Sequence, residues 1–379
     1  MNPLENDHNV YLLGAGFSVP GGMPVIADFM FALRDAQEWL SSQGRAREAQ
    51  AIERVLTFRL SATPAAYRVE LDLENIEELF SFASIAEERL SDDIRIAIAA
   101  TLDYRRAVSP RRTLDFSVNG RGFPRPTNWA WRVRSAGDGS GLCSADQVQF
   151  YTYAMLGGFS STGPKGKNTF ITLNYDLLLE EALTALEVSF SYGSPMHLPL
   201  SAERKLLVDV SEHPLILKLH GSVNWAAWPS RPDLISVLNS YADVVHHNLS
   251  PILIPPTWRK SVPALFSDIW KRARDQIQLA SRLIIIGFSI PETDQDIKYL
   301  LAAGLRENIS LREIVFVNPD AQALEGRLTR FFGILNKRPR VRLVALRTEQ
   351  FLQPGMDGGI ESVGRPIHGS LQNVLLANQ

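Results

Sequence analysis

The sequence predicts an α/β fold: a parallel sheet with helices on both faces and a large, mainly helical insertion after the first strand. Three observations predict it. Five short runs rich in β-branched residues occur at 10–13, 169–173, 215–219, 283–286 and 314–317, and each stops at small or polar residues. Short, nearly continuous apolar runs are what strands buried on both faces of a parallel sheet require. Segments with helical spacing separate the later runs, and residues 26–167 hold amphipathic stretches without a strand-like run.

Taken in order, the first run ends at Gly14-Ala15-Gly16-Phe17-Ser18, and the insertion begins soon after Gly22 and Pro24. Residues 27–40, 46–60, 74–90 and 92–104 read as amphipathic helices. Residues 105–141 differ: Arg105, Arg106, Arg111, Arg112, Arg121, Arg125, Arg132 and Arg134 stand against only Asp115 and Asp138, with Trp129 and Trp131 close by. This stretch reads as a long irregular connection, which is either a solvated loop or a contact surface. Guanidinium forks suit an acidic protein face and nucleic-acid phosphate equally, so both partners stay open.

After the second run, Asp176 is placed to cap a helix over 176–183. Residues 267–280 put Ile269, Ala273, Ile277 and Ala280 on one helical face and lead directly into the fourth run. A further helix covers 294–305; Asp294 and Asp296 at its start read as capping and dipole residues rather than as an acid–base or metal pair. The domains implied are 1–25 with 168–350, an insertion at 26–167 and a turn-rich tail at 351–379.

Composition narrows the function classes. The 379 residues are 45% hydrophobic and 21% charged with a formal net charge of −2, so any contact with nucleic acid or an anionic membrane must come from a local patch. No apolar stretch approaches the roughly 20 residues that cross a bilayer, and residues 1–8 lack the basic-then-apolar layout of a signal peptide. A cytoplasmic protein is expected. Cys143 is the single cysteine, which excludes an internal disulfide and a cysteine-based structural zinc site within the chain. His246 and His247 are adjacent and read as a loop pair, so no metal is expected.

In open α/β sheets ligands bind beyond the carboxyl ends of the strands, where all five polar clusters fall. Gly14-x-Gly16 after a strand is either a phosphate-cradling turn or a plain tight turn. It fails the ordinary dinucleotide fingerprint, because Val19 stands at the last glycine position. Asn174 is a pocket residue or a turn asparagine, and Asp176 a pocket residue or a cap. His220 is a structural histidine or a proton carrier, since imidazole exchanges protons near neutral pH.

Gly14, Ala15, Gly16, Ser18, Gly22 and Pro24 match the pattern G-A-G-x-S-x-x-x-G-x-P at every fixed position. With Thr172-x-Asn174-x-Asp176 and Leu219-His220-Gly221-Ser222 following in order, the chain resembles the sirtuins and their bacterial sirtuin-like relatives. The resemblance implies a Rossmann-like domain that binds NAD as substrate and breaks its nicotinamide bond. It implies that Asn174 holds the nicotinamide ribose or the attacking water, that His220 exchanges a proton, and that Asp176 shapes the pocket. Gly287, Ser289 and Asn318 would face the phosphates and the adenosine ribose. Gly287-Phe288-Ser289-Ile290-Pro291 followed by Asp294 resembles the bacterial branch in particular.

Two departures matter. Pro24 is followed by Val25-Ile26-Ala27 where protein-deacylating sirtuins carry Asp-Phe-Arg, and the four-cysteine zinc module is missing. The resemblance is therefore to sirtuin-like NAD glycohydrolases of bacterial antiphage defence, which deplete NAD when triggered. It implies hydrolysis to nicotinamide and ADP-ribose without zinc, a homo-oligomer, no membrane, and a protein partner such as a hexameric ATPase of the HerA type. An NAD-dependent protein deacylase and a non-catalytic module that binds NAD or ADP-ribose are the competing readings.

Overall fold

A computed structural model describes residues 8–109, 115–116, 132–133, 167–185, 190–194, 196, 214–258, 262–291, 294–332 and 339–352. Strand β1 (His8–Leu13) leads into a single helical turn, α1 (Ala15–Ser18). Helices α2 (Ile26–Ser42), α3 (Ala46–Arg68), α4 (Ile76–Ala86) and α5 (Leu90–Val108) follow. A two-residue ladder, β2 (Asp115–Phe116) with β3 (Arg132–Val133), precedes β4 (Lys167–Thr172), α6 (Leu178–Ala185) and β5 (Leu215–Lys218). Then come β6 (Gly221–Trp228), β7 (Arg231–Val237), α7 (Tyr241–His246) and β8 (Pro251–Leu253). The chain continues through α8 (Ser267–Leu279), β9 (Arg282–Ile286), α9 (Gln295–Leu305), β10 (Glu313–Val317), α10 (Glu325–Phe332), β11 (Arg340–Val344) and α11 (Thr348–Leu352).

Six strands form one sheet in the order β5-β4-β1-β9-β10-β11, all parallel. Numbered by their succession in the chain this is 3-2-1-4-5-6, the doubly wound order of dinucleotide-binding sheets. The chain moves outward from β1 to one edge, returns, and moves outward to the other. Right-handed crossovers then place the connections on opposite faces. Every residue of β1 and β9 is buried, as strands at the centre of a two-faced sheet must be. The parallel pairs are in register at their ends: Leu13 opposite Thr172 and Ile286, and Thr172 opposite Lys218. The loops after β1, β4, β5 and β9 therefore leave the sheet at one level.

The five expected strands are present, and β11 makes a sixth. Its Arg340-Val341-Arg342-Leu343-Val344 alternates charge with aliphatic residues, which suits a sheet edge and masks it in a search for continuous apolar runs. A three-stranded antiparallel sheet, β7-β6-β8, was also not expected. The helical insertion forms with shifted bounds; α3 runs eight residues past the expected 60 to Arg68 and carries Pro64 inside it. Its buried residues, among them Ile52, Leu79 and Ile98, belong to the same continuous core as the sheet.

At the C-terminal side, Phe351 of α11 is fully buried, so the expected tail boundary at 351 falls inside a packed helix. Most of the arginine-rich stretch lies outside the described residues, as do Cys143 and residues 353–379. Of its described members, Arg105 donates to the Gly22 carbonyl at 3.0 Å and Arg106 pairs with Glu181 at 2.5 Å. These two guanidiniums tie the end of α5 to the body of the protein.

Candidate active site

The loop after β1 meets the loop after β9 at the point where the strand order reverses. Gly14 N–H donates to the Ile286 carbonyl at 3.0 Å and Gly16 N–H to the Gly287 carbonyl at 2.9 Å. A Cβ on Gly14 would stand 2.6 Å from the Gly287 oxygen, and one on Gly16 would stand 2.8 Å from the Gly287 Cα. Gly287 itself has φ +66, and its Cβ would lie 2.3 Å from the Phe17 nitrogen. The three glycines are required here by backbone packed on backbone. Two N–H groups of the expected phosphate-cradling turn are already engaged by the second loop. Thr348 of α11 donates its hydroxyl to the Gly16 carbonyl at 2.9 Å and closes the arrangement from behind.

Asn174 follows β4. Its side-chain Nδ2 donates to the Gly14 carbonyl and to Ser18 Oγ, both at 2.9 Å. The Gly14 carbonyl can only accept, so it fixes which end of the amide faces the glycine loop. The amide Oδ1 has no hydrogen-bond donor among the described residues. Asp176 accepts from Leu178 N–H at 3.1 Å, the capping geometry expected of it, and also lines the cleft described below. The buried Lys218 holds this segment to the next strand, donating to the Asp176 carbonyl at 2.5 Å and to Glu180 at 2.8 Å.

His220 lies in the turn between β5 and β6. Leu219 N–H donates to the Thr172 carbonyl, and Trp270 Nε1 donates to the Leu219 carbonyl at 3.1 Å, so the turn is held from two sides. The histidine is 5% exposed, and its ring centroid is 6.4 Å from that of Tyr175. Ile254 brackets the two: its N–H donates to the His220 carbonyl at 2.9 Å, and its carbonyl accepts from the Tyr175 hydroxyl at 2.6 Å. Burial, with the Asp294 and Glu77 carboxylates nearby, pushes the Tyr175 hydroxyl far above its usual range, so it stays protonated as a donor.

One cleft collects these groups. Of the expected site residues, Ala15, Ser18, Pro24, Asn174, Asp176, His220, Gly287 and Ser289 line it. Gly14, Gly16, Gly22 and Asn318 do not. Gly14 and Gly16 lie behind it in the loop contact. Gly22, at φ +89, terminates a 3-10 turn, a left-handed conformation suited to glycine. Asn318 accepts from Asp320 N–H at 2.9 Å and reaches the Phe288 carbonyl at 3.4 Å, so its amide shapes the turn after β10.

The opposite wall was not foreseen. It comes from the helical insertion, with Phe29 of α2, Ile76 and Glu77 of α4, and Ile98 and Leu102 of α5. No local signal marks them, since each also fits an ordinary amphipathic helix. Asp294 corrects an expectation: it occupies the N-cap position of α9 yet makes no side-chain capping bond, and it faces the cleft. Tyr175 sat in a variable position between Asn174 and Asp176 and could have been found only from its place in that segment. Among the described residues no group of three or more His, Cys, Asp or Glu is placed to hold a metal ion. No single helix among them is long and apolar enough to cross a membrane.

Residues 168–331 match the SIR2-like domain family. No curated protein sequence matches the chain. Several solved structures are similar to it at low identity. One is a Sir2 enzyme, 11% identical with a TM-score of 0.38, the match covering 92% of this chain and 90% of that one. A second is Sir2 in complex with an inhibitor, 2′-O-acetyl-ADP-ribose and a deacetylated peptide, 13% identical with a TM-score of 0.36 and 93% of each chain covered. A third is a Sir2 protein bound to a propionylated peptide, 13% identical with a TM-score of 0.38 and 94% of each chain covered.

Proposed function

Because residues 168–331 match a SIR2-like domain, we propose that the protein hydrolyses NAD at the nicotinamide–ribose bond, giving nicotinamide and ADP-ribose. The observation that carries this reading is the meeting of Asn174 and His220 in one cleft. They leave neighbouring strands at the same level and share the cleft with Ala15, Ser18 and Ser289. Departure of nicotinamide leaves a cationic ribose centre that accepts a weak nucleophile, so positioning and electrostatic support matter more than a strong base. Asn174, its NH₂ held by Gly14 and Ser18, offers Oδ1 to a ribose hydroxyl or the attacking water. His220 takes up the proton released as the new bond forms.

The single cysteine and the Val25-Ile26-Ala27 sequence after Pro24 favour water over an acyl-lysine acceptor. One observation favours deacylation instead. An apolar groove of about 650 Å³ is lined by Phe82, Ile85, Leu253, Pro255 and Trp258, and α4 contributes residues both to it and to the cleft. Incubating the purified protein with NAD, with and without an acylated peptide, and resolving the products by chromatography tests both readings. Nicotinamide and ADP-ribose are expected without peptide. Turnover only with peptide, yielding an O-acyl product, would replace hydrolysis by deacylation.

We also propose that this activity is a triggered, NAD-depleting step of bacterial antiphage defence, carried out in the cytoplasm by a homo-oligomer. Its support is the motif resemblance, which also points to a hexameric ATPase as partner. Co-purification of such an ATPase, with NAD loss on its addition, is the expected result. NAD turnover by the lone chain at a rate no partner changes would remove the trigger from the proposal.

A further inference from the structure

Strand β5, Leu215-Ile216-Leu217-Lys218, is aliphatic until its last residue, which is charged. The Lys218 side chain is 1% exposed, and so is that of Glu180 on α6, its partner at 2.8 Å. Taking two charges out of water costs about as much as their attraction returns, and apolar residues of similar volume often hold such a place as well or better. Stability alone therefore does not account for the pair. Its remaining bonds point elsewhere. The Lys218 ammonium also donates to the Asp176 carbonyl at 2.5 Å, and the Tyr192 hydroxyl donates to the same Glu180 oxygen at 3.2 Å. Tyr192 holds the carboxylate, the carboxylate aims the ammonium, and the ammonium holds backbone at the edge of the cleft.

That backbone carries Asn174 and Asp176, and His220 lies two residues beyond Lys218. Leu219 N–H donates to the Thr172 carbonyl ahead of Asn174, and Val223 N–H donates to the Tyr175 carbonyl. Lys218 adds the joint at Asp176, the far end of the segment. Held at both ends, the segment cannot swing about the end of β4, so Asn174 and His220 keep one relative placement. We propose, resting on the NAD reading, that Lys218 is a positioning residue: it sets residues 174–176 against His220 for bond breaking, and Glu180 serves to aim it. A misplacement of about 1 Å between reacting groups can cost on the order of 10²-fold in rate. Substrate binding, spread over the rest of the cleft, depends on it less. Loss of Lys218 should therefore lower kcat more than it raises KM.

Two variants of the full chain separate this role from a structural one. Lys218→Met combined with Glu180→Gln removes both charges at nearly constant volume and keeps an acceptor for Tyr192, so the hold on Asp176 is what goes. Its melting temperature should stay within about 4 °C of the wild type, the scale of one hydrogen bond. Its kcat on NAD should fall at least about ten-fold with KM within about two-fold. Glu180→Gln alone leaves a buried charge without its counter-ion and should melt below the double variant. Its lysine still reaches Asp176, so kcat should stay within about three-fold of the wild type. Turnover that tracks melting temperature across the variants would make the pair structural and overturn the proposal, as would wild-type kcat in the double variant. A wild type that neither binds nor cleaves NAD would refute the NAD reading alone. Amide hydrogen exchange reads the role of Lys218 whether or not NAD is turned over. Exchange at residues 173–177 should speed at least about ten-fold in the double variant only, with β1 and β9 unchanged. Equal exchange in all three proteins, or acceleration shared with β1 and β9, would overturn the positioning role.

Discussion

The two walls of the cleft are built on different physical terms. The strand-end wall carries Asn174, Asp176, His220 and Ser289, which follow strands in parallel register; bonds to backbone carbonyls or N–H groups also hold the first three. The helical wall presents mostly aliphatic and aromatic surface, with Glu77 as its charged group. One wall brings polar side chains together; the other is mainly apolar surface. Substitutions on the first should strike turnover, and those on the second should strike binding and stability.

The largest expected effect separates the walls most sharply. Asn174→Ala and His220→Ala should each lower kcat by about 10²–10⁴, the range for lost proton-transfer or transition-state contacts. Asn174→Ala should also cost about 1–2 kcal/mol of stability, because the bonds to Gly14 and Ser18 go with it. Near-wild-type turnover in either folded variant would remove that residue from the mechanism. Next comes Gly287→Ala, which places a Cβ against the Phe17 nitrogen at positive φ. Denaturant unfolding should show a loss of about 3 kcal/mol; a neutral result would mean that the two loops part without cost. The smallest effect belongs to the helical wall: Ile98→Val should cost about 1 kcal/mol with kcat nearly unchanged. A large fall in kcat there would erase the distinction between the walls.

Legibility in the sequence followed the same division. The central strands were readable because burial on both faces demands runs such as Leu283-Ile284-Ile285-Ile286. The polar groups of the strand-end wall were readable because each stood where such a run stopped. The antiparallel sheet beside His220 was not, because β6 buries Ser222 and Asn224 among its apolar residues. Those side chains bond to each other at 2.8 Å, and Asn224 donates to the Leu238 carbonyl at 2.7 Å. Only tertiary pairing makes them fit a strand. Glu77 was hidden for a related reason: with Glu78 it reads as the acidic first turn of a surface helix. Gly14 and Gly16 were seen as important, but part of their role is contact with Gly287, more than 270 positions away, which no local pattern contains.

That long reach has a consequence for synthesis on the ribosome. β1 emerges before its two partners, β4 and β9, which lie about 160 and 273 residues downstream, and the bond from Thr348 to Gly16 spans 332. Chains are made at roughly 5–20 residues per second, and non-local pairing waits for both partners. The loop after β1 leaves the exit tunnel before its partners and is thus among the last of these segments to be locked. A chain cut short before β9 cannot close the contact of Gly14 and Gly16 with Gly287 behind the cleft.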